Sequence, residues 1–169
     1  DRWLHVSMPD YVDSKRREFG HDPPKRPQHA PQPAPETRFG KAAQESRPPD
    51  TSEPLSEAGK KRVQKIVGSF LYYGRAVDIT ILKALNTMAQ NQAKPTEVTT
   101  GHTEHLLDYL ATHPNAVIRY YASDMILQIP SDAPYINEPE PRRTPGAPYF
   151  LGKLPPTGHP PFLHVPTYS

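Results

Sequence analysis

The chain has 169 residues, enough for one ordinary domain or a small domain with tails and too few for a polymerase. Only 35% of it is apolar and Pro occurs 23 times, against roughly 8 at the average usage of about 5%, so much of the chain lacks the means to pack. With a formal charge of +2 and no Cys, a concentrated cationic footprint for unspecific nucleic-acid binding is not expected, and disulfides, thiolate metal sites and a Cys nucleophile are excluded.

No apolar run reaches the roughly 18 residues of a membrane span, and no charged segment leads into an apolar stretch at the start. Neither a span nor a secretory signal is expected, and the expected location is intracellular. Ten prolines fall in residues 1–54, one in 55–113 and twelve in 114–169, which centres any core on the middle third. The expected fold is mainly α with a small incomplete β part: a three-helix unit between long proline-rich, disordered segments.

In chain order, Trp3-Leu4-His5-Val6 reads as extended. Ser7 and Asp10 have the spacing of a capping box, with Pro9 in the first turn and Gly20 at the stop of a first helix. Residues 1–20 form a strand–helix piece, and residues 21–54, with nine prolines, an extended, poorly packed linker of polyproline character.

Three helices follow within residues 55–114. The first spans about 56–73, with Val63, Ile66, Val67, Phe70 and Leu71 on one stripe. Asp78 caps the second, about 78–93, through Ile79, Leu82, Leu85 and Met88; Thr96 caps the third, about 96–112, with Val98, His102, Leu106, Tyr109 and Leu110 inward and Gly101 as a weak point. Fourteen or so apolar side chains barely offset the ordering of about sixty residues, so the unit is expected to lean on something else. Residues 115–169 switch to an extended period: 116–121 and 125–129 read as two strands joined by the turn Ala122-Ser123-Asp124, with further candidates at 148–152 and 162–165.

The cations Lys60, Lys61, Arg62 and Lys65 are candidates for nucleic-acid contact, weighed against an ordinary solvated helix face. Tyr11-Val12-Asp13-Ser14 is superficially similar to a Tyr-x-Asp-Asp box but lacks its second carboxylate. His102, Glu104, His105 and His113 can ligate metal, yet their spacing supplies no matched third ligand. Asp132, at the end of an apolar strand, stands where a carboxylate reaches a divalent metal at a sheet rim.

The order of the segments is more specific than any one of them. Val67-Gly68-Ser69-Phe70-Leu71-Tyr72-Tyr73, Val77-Asp78-Ile79, Ala84-Leu85-Asn86, Lys94-Pro95-Thr96, Leu106-Leu107-Asp108-Tyr109-Leu110, Ser131-Asp132-Ala133 and Tyr149-Phe150-Leu151-Gly152 follow one another across about 63–152. Together they resemble the copia-type retrotransposon Pol polyprotein, in the region linking reverse transcriptase to ribonuclease H. Upstream, Val6 to Val12 and Lys25 to Pro31 look like the stretch that follows the polymerase palm.

The resemblance implies a palm before residue 1, most of ribonuclease H after residue 169, and Asp132 as the first catalytic and metal-binding carboxylate of a truncated ribonuclease H-like beginning. It also implies Mg²⁺ or Mn²⁺ for the parent enzyme, none for this chain alone, and an RNA–DNA hybrid or the rest of Pol as partner. The chain departs from the family at Ala76-Val77-Asp78, where relatives carry Arg-Pro-Asp. It departs again at Pro130, which cannot donate to a central ladder, and in the prolines from Pro134 to Pro148. The expected function is therefore a fragment of a retroelement polyprotein without activity of its own, possessing the marks of a decayed or truncated copy. The alternative is a non-enzymatic helical interaction module with proline-rich arms.

Overall fold

The computed structural model of the chain describes residues 3–34, 50–128, 150–153 and 167–168. About half of these are helical. The order is β1 (Trp3–Ser7), α1 (Tyr11–Glu18), α2 (Glu57–Ala76), a 3₁₀ turn (Ile79–Ile81), α3 (Leu82–Asn91), α4 (Glu97–Thr112), β2 (Ala116–Tyr121), β3 (Ile126–Gln128), β4 (Phe150–Gly152) and β5 (Thr167–Tyr168). Residues 4–34 and 50–119 with β5 form one compact unit, and β3 with β4 belongs to a second.

Helix α2 starts at Ser56, whose hydroxyl accepts from the Gly59 amide at 3.3 Å, and buries Val63, Ile66, Val67, Phe70 and Tyr73. It runs three residues past the expected end because Gly74 does not break it. A Cβ there would lie 3.0 Å from Leu82 Cδ2 and 3.1 Å from Ile81 Cγ1, so the bare backbone lets the next turn cross close by. Asp78 begins that turn as expected, accepting from the Thr80 amide at 3.2 Å and the Thr80 hydroxyl at 2.5 Å.

The expected single helix over 78–93 is a 3₁₀ turn followed by α3. At about three residues per turn the register differs from that of an α-helix, leaving Ile79 37% exposed while Ile81 enters the core. In α4 the Thr99 hydroxyl accepts from the Thr96 amide at 3.2 Å, and the Thr96 hydroxyl donates to Asp50. The inward stripe is Thr99, Thr103, Leu106, Leu107, Tyr109 and Leu110; Val98, expected inside, is 46% exposed.

The N-terminal piece corrects two expectations. Ser7 ends β1 rather than capping a helix, and Asp10 stands at the cap in a left-handed conformation, φ 61°, with no side-chain cap bond. Gly20 does close α1: at φ 64° its amide bonds Arg17 O at 3.1 Å, and the His21 amide bonds Arg16 O at 3.0 Å, a Schellman closure. Nor is α1 a separate piece. Val12 is fully buried in the common core, the Tyr11 ring stacks on Tyr73 at 5.5 Å, and the Tyr11 hydroxyl donates to Ser69 O at 3.0 Å. The three-helix unit leans on α1.

Of the expected linker 21–54, residues 35–49 lie outside the described residues. Residues 21–34 form no helix or strand, yet they are strapped to α4. The Gln28 amide donates to Thr112 Oγ1 at 3.0 Å, and His105 Nε2 lies 3.0 Å from Ala30 O. Residues 50–54 are tied in as well: Pro54 bridges Thr96, the Leu55 amide bonds Pro95 O at 2.9 Å, and the Glu97 amide bonds Glu53 O at 3.1 Å.

Strands stand at 116–121 and 126–128, but they are not partners across a turn. β2 lies between β1 and β5, antiparallel to β5 with Ala116 opposite Tyr168, whereas β3 pairs antiparallel with β4, Leu127 opposite Leu151. Ala122-Ser123-Asp124 lacks the Asn-Gly or Asp-Gly pair that closes a tight hairpin, and Met125 is left-handed at φ 57°. The candidate strand 162–165 lies outside the described residues.

Candidate functional site

Asp132 lies outside the described residues. The Tyr11-Val12-Asp13-Ser14 stretch is the first turn of α1, and Asp13 pairs with Arg16 at 3.3 Å. A helix cannot present these residues as a hairpin carboxylate pair.

The four candidate cations divide by direction. Arg62 turns toward α4 and pairs with Glu104 at 2.6 Å. Lys60 is half-buried, whereas Lys61 and Lys65 stand on the outer side of α2, opposite its buried stripe. Lys65 reaches Glu18 at 2.6 Å, and the same carboxylate holds Lys15 at 2.8 Å. These two hydrogen-bonded ammoniums hold the Glu18 carboxyl down at about 2. Thus Glu18 fixes two cations side by side, and the cluster keeps a net positive charge.

Three residues that local reasoning missed share this outer side. Gly68, Tyr72 and Arg75 are exposed, Tyr72 by 63%. With Lys61 and Lys65 they recur at spacings of four, three, four and three, the same helical period as the apolar stripe half a turn away. The ridge runs about 21 Å at 1.5 Å per residue. A Cβ on Gly68 would have nothing within 4 Å. The signal was present in the sequence as the complement of the core stripe.

The histidines are engaged with the strap. His21 is clasped between Glu104 Oε2 on Nδ1 and Asp108 Oδ1 on Nε2, each at 2.8 Å, with its side chain 10% exposed. His105 Nδ1 lies 3.3 Å from Gln28 Nε2, and His29 Nδ1 lies 3.2 Å from His113 Nε2. Burial, then the neighbouring His29, lowers the His113 imidazole below its usual range; burial, then His105, does the same to His102. Among the described residues no group of three or more His, Cys, Asp or Glu side chains is arranged to hold a metal ion. No helix among them is long and apolar enough to cross a membrane.

Chemically, this constellation can clasp a strap and attract an anion. No protein-family model, curated protein or solved structure matches the chain.

Proposed function

We propose that the chain is the connection part of a copia-type retroelement Pol polyprotein, packed helices leading toward a ribonuclease H-type β part, with neither polymerase nor nuclease activity of its own. The observation that carries this reading is the helix order with its caps. A Val-Gly-Ser helix, a turn begun by Asp78 and a Leu-x-Tyr-Leu helix begun at Thr96 follow one another as the resemblance requires. The antiparallel β3–β4 ribbon, whose strands flank the segment holding Asp132 in sequence, is compatible with the start of such a β part.

The expectation of inactivity rests on what in-line phosphoryl chemistry needs: two metal ions about 3.5–4 Å apart, clamped by several converging carboxylates. Glu104 and Asp108 are occupied by His21, and Asp50 and Asp78 by capping bonds. The alternative is a non-enzymatic helical interaction module with proline-rich arms, of which the described part, residues 21–34, is clasped to α4.

Two tests apply. The neighbouring reading frame is expected to encode a palm with paired carboxylates upstream; unrelated sequence on both sides overturns the assignment. Purified chain with Mg²⁺ or Mn²⁺ is expected to leave an RNA–DNA hybrid uncut and a primer unextended. Hybrid cleavage that disappears in Asp132→Asn would instead reveal a self-sufficient nuclease.

A further inference from the structure

We propose that His29 and His113 form a binding site for a late first-row divalent cation, Zn²⁺ foremost, with water in its remaining positions, and that the bound ion staples the strap of residues 21–34 to the end of α4. This goes beyond the function proposed above and stands whatever the flanking reading frame encodes.

The two imidazoles come from positions 84 residues apart and meet nitrogen to nitrogen. His29 Nδ1 lies 3.2 Å from His113 Nε2, with ring centroids 5.3 Å apart and planes tilted by 57°. Zinc holds imidazole nitrogens at about 2.0–2.1 Å, and at an ion placed so, nitrogens 3.2 Å apart subtend about 103°, close to the tetrahedral angle. When each ring carries its proton on the far nitrogen, both facing nitrogens offer a lone pair. The ion then replaces one hydrogen bond and asks for a tautomer change in the donating ring.

The backbone beside each ligand is fixed. The Gln28 amide donates to Thr112 Oγ1 at 3.0 Å, and that hydroxyl donates to Asp108 O at 2.8 Å. The His113 amide bonds Tyr109 O at 2.9 Å, and the His113 ring lies 5.0 Å from the Tyr109 ring. Strap and helix therefore meet in register, Gln28 on Thr112 and His29 on His113, and little further ordering is needed when the ion binds. The C-terminus of α4, with its outward carbonyls, favours a cation as well.

Two imidazoles select Zn²⁺, Cu²⁺ or Ni²⁺ over the oxygen-seeking Mg²⁺ and Ca²⁺. Glu104 and Asp108, the carboxylates of the same helix, face His21 instead. With two protein ligands rather than the four of a structural zinc site, the ion stays exchangeable, so release of the proline-rich strap follows the metal supply.

The test is calorimetric titration of the full chain with ZnCl₂, combined with hydrogen exchange of the Gln28 amide and thermal melting of each variant. His29→Ala and His113→Ala are each expected to weaken zinc binding at least tenfold, His29→Ala with little change in metal-free melting because the position is exposed. His159→Ala with His164→Ala, a control in the C-terminal segment, is expected to leave the affinity within a factor of two. Ni²⁺ is expected to compete for the site and excess Mg²⁺ to leave zinc binding unchanged. Zinc is expected to slow exchange of the Gln28 amide several-fold in the unaltered chain, reversibly on adding EDTA, and to have no such effect in His113→Ala. Zinc affinity that both single variants retain, no zinc binding by the unaltered chain, or binding that leaves Gln28 exchange unchanged would each overturn the inference.

Discussion

Tyr73 sits where α1, α2 and the start of β2 meet, and it shows how one side chain fixes several elements. Its ring lies stacked on Tyr11 and edge-on to Phe70 at 6.5 Å. Its hydroxyl accepts from the Ala116 amide at 3.2 Å and donates to Pro114 O at 3.4 Å. Tyr73→Phe keeps the packing but leaves the buried Ala116 amide without that acceptor. The expected cost is about 1–3 kcal/mol, read as a lower urea midpoint with an unchanged m-value. An unchanged midpoint would mean that the hydroxyl contributes nothing net.

The same burial pushes the Tyr73 phenol up from 10.0 to about 12. Above pH 10 the unfolded chain releases this proton while the folded chain keeps it, so the unfolded state binds fewer protons and stability falls with rising pH. The contribution is whole below pH 10 and lost as pH climbs through about 12, a decline of about 2–3 kcal/mol at 1.36 kcal/mol per pH unit. Burial raises Tyr11 too, and it acts in the same direction. Tyr73→Phe is expected to flatten most of this alkaline limb in denaturation series at pH 9, 10 and 11. A limb of equal slope in the variant would assign the effect elsewhere.

At the scale of the element, two of the three glycines of α2, Gly68 and Gly74, have opposite environments. Gly68 has nothing within 4 Å of an added Cβ, whereas Gly74 has Leu82 and Ile81 at 3.0 and 3.1 Å. Gly68→Ala is therefore expected to stabilise by about 0.5–1 kcal/mol through helix propensity. Gly74→Val is expected to destabilise by about 1–3 kcal/mol, because the fully buried Ile81 has to move. Chemical denaturation of the pair checks both signs, and equal signs would contradict the close crossing at Gly74.

The elements themselves were legible where the cause is local. Ser56, Asp78 and Thr96 stand at starts that their side chains can stabilise, and α2 buries Val63, Ile66, Val67 and Phe70 of its expected stripe, with Leu71 half-buried and Tyr73 buried in addition. Legibility failed where the period shifted or the partner was distant. The 3₁₀ turn moved Ile79 outward, and Thr103 became a core residue by satisfying its own hydroxyl on Thr99 O at 2.8 Å. His21 finds Glu104 and Asp108 more than eighty residues away, a contact no hydrophobic period encodes. Of the candidate cations, Lys61 and Lys65 face outward, opposite the buried stripe as the helical period requires, while Arg62 ties α2 to α4 through a distant partner that the period does not encode.

For the whole unit, the marginal apolar content of residues 55–114 finds its answer in the N-terminal segment. Val12 is fully buried, Tyr11 and Phe19 pack against the core, and His21 closes the clasp on α4. Burying Val12 contributes about 1.5–3 kcal/mol. The aromatic contacts of Tyr11 with Tyr73 and of Phe19 with Phe70 add about 0.5–1.5 kcal/mol each, and the Tyr11–Ser69 hydrogen bond about 1 kcal/mol. A loss near 5 kcal/mol is comparable to the whole stability of a small domain, about 5–15 kcal/mol. Residues 50–119 expressed alone are accordingly expected to show reduced helical circular dichroism and a broad, weakly cooperative melt. A peptide of residues 3–34 added in trans is expected to restore helicity in a concentration-dependent way, and less so with Val12→Asp. If residues 50–119 alone melt as cooperatively and at the same temperature as the full chain, α1 and its strap are ornaments on a self-sufficient bundle, and the N-terminal segment has no part in holding α2 in place.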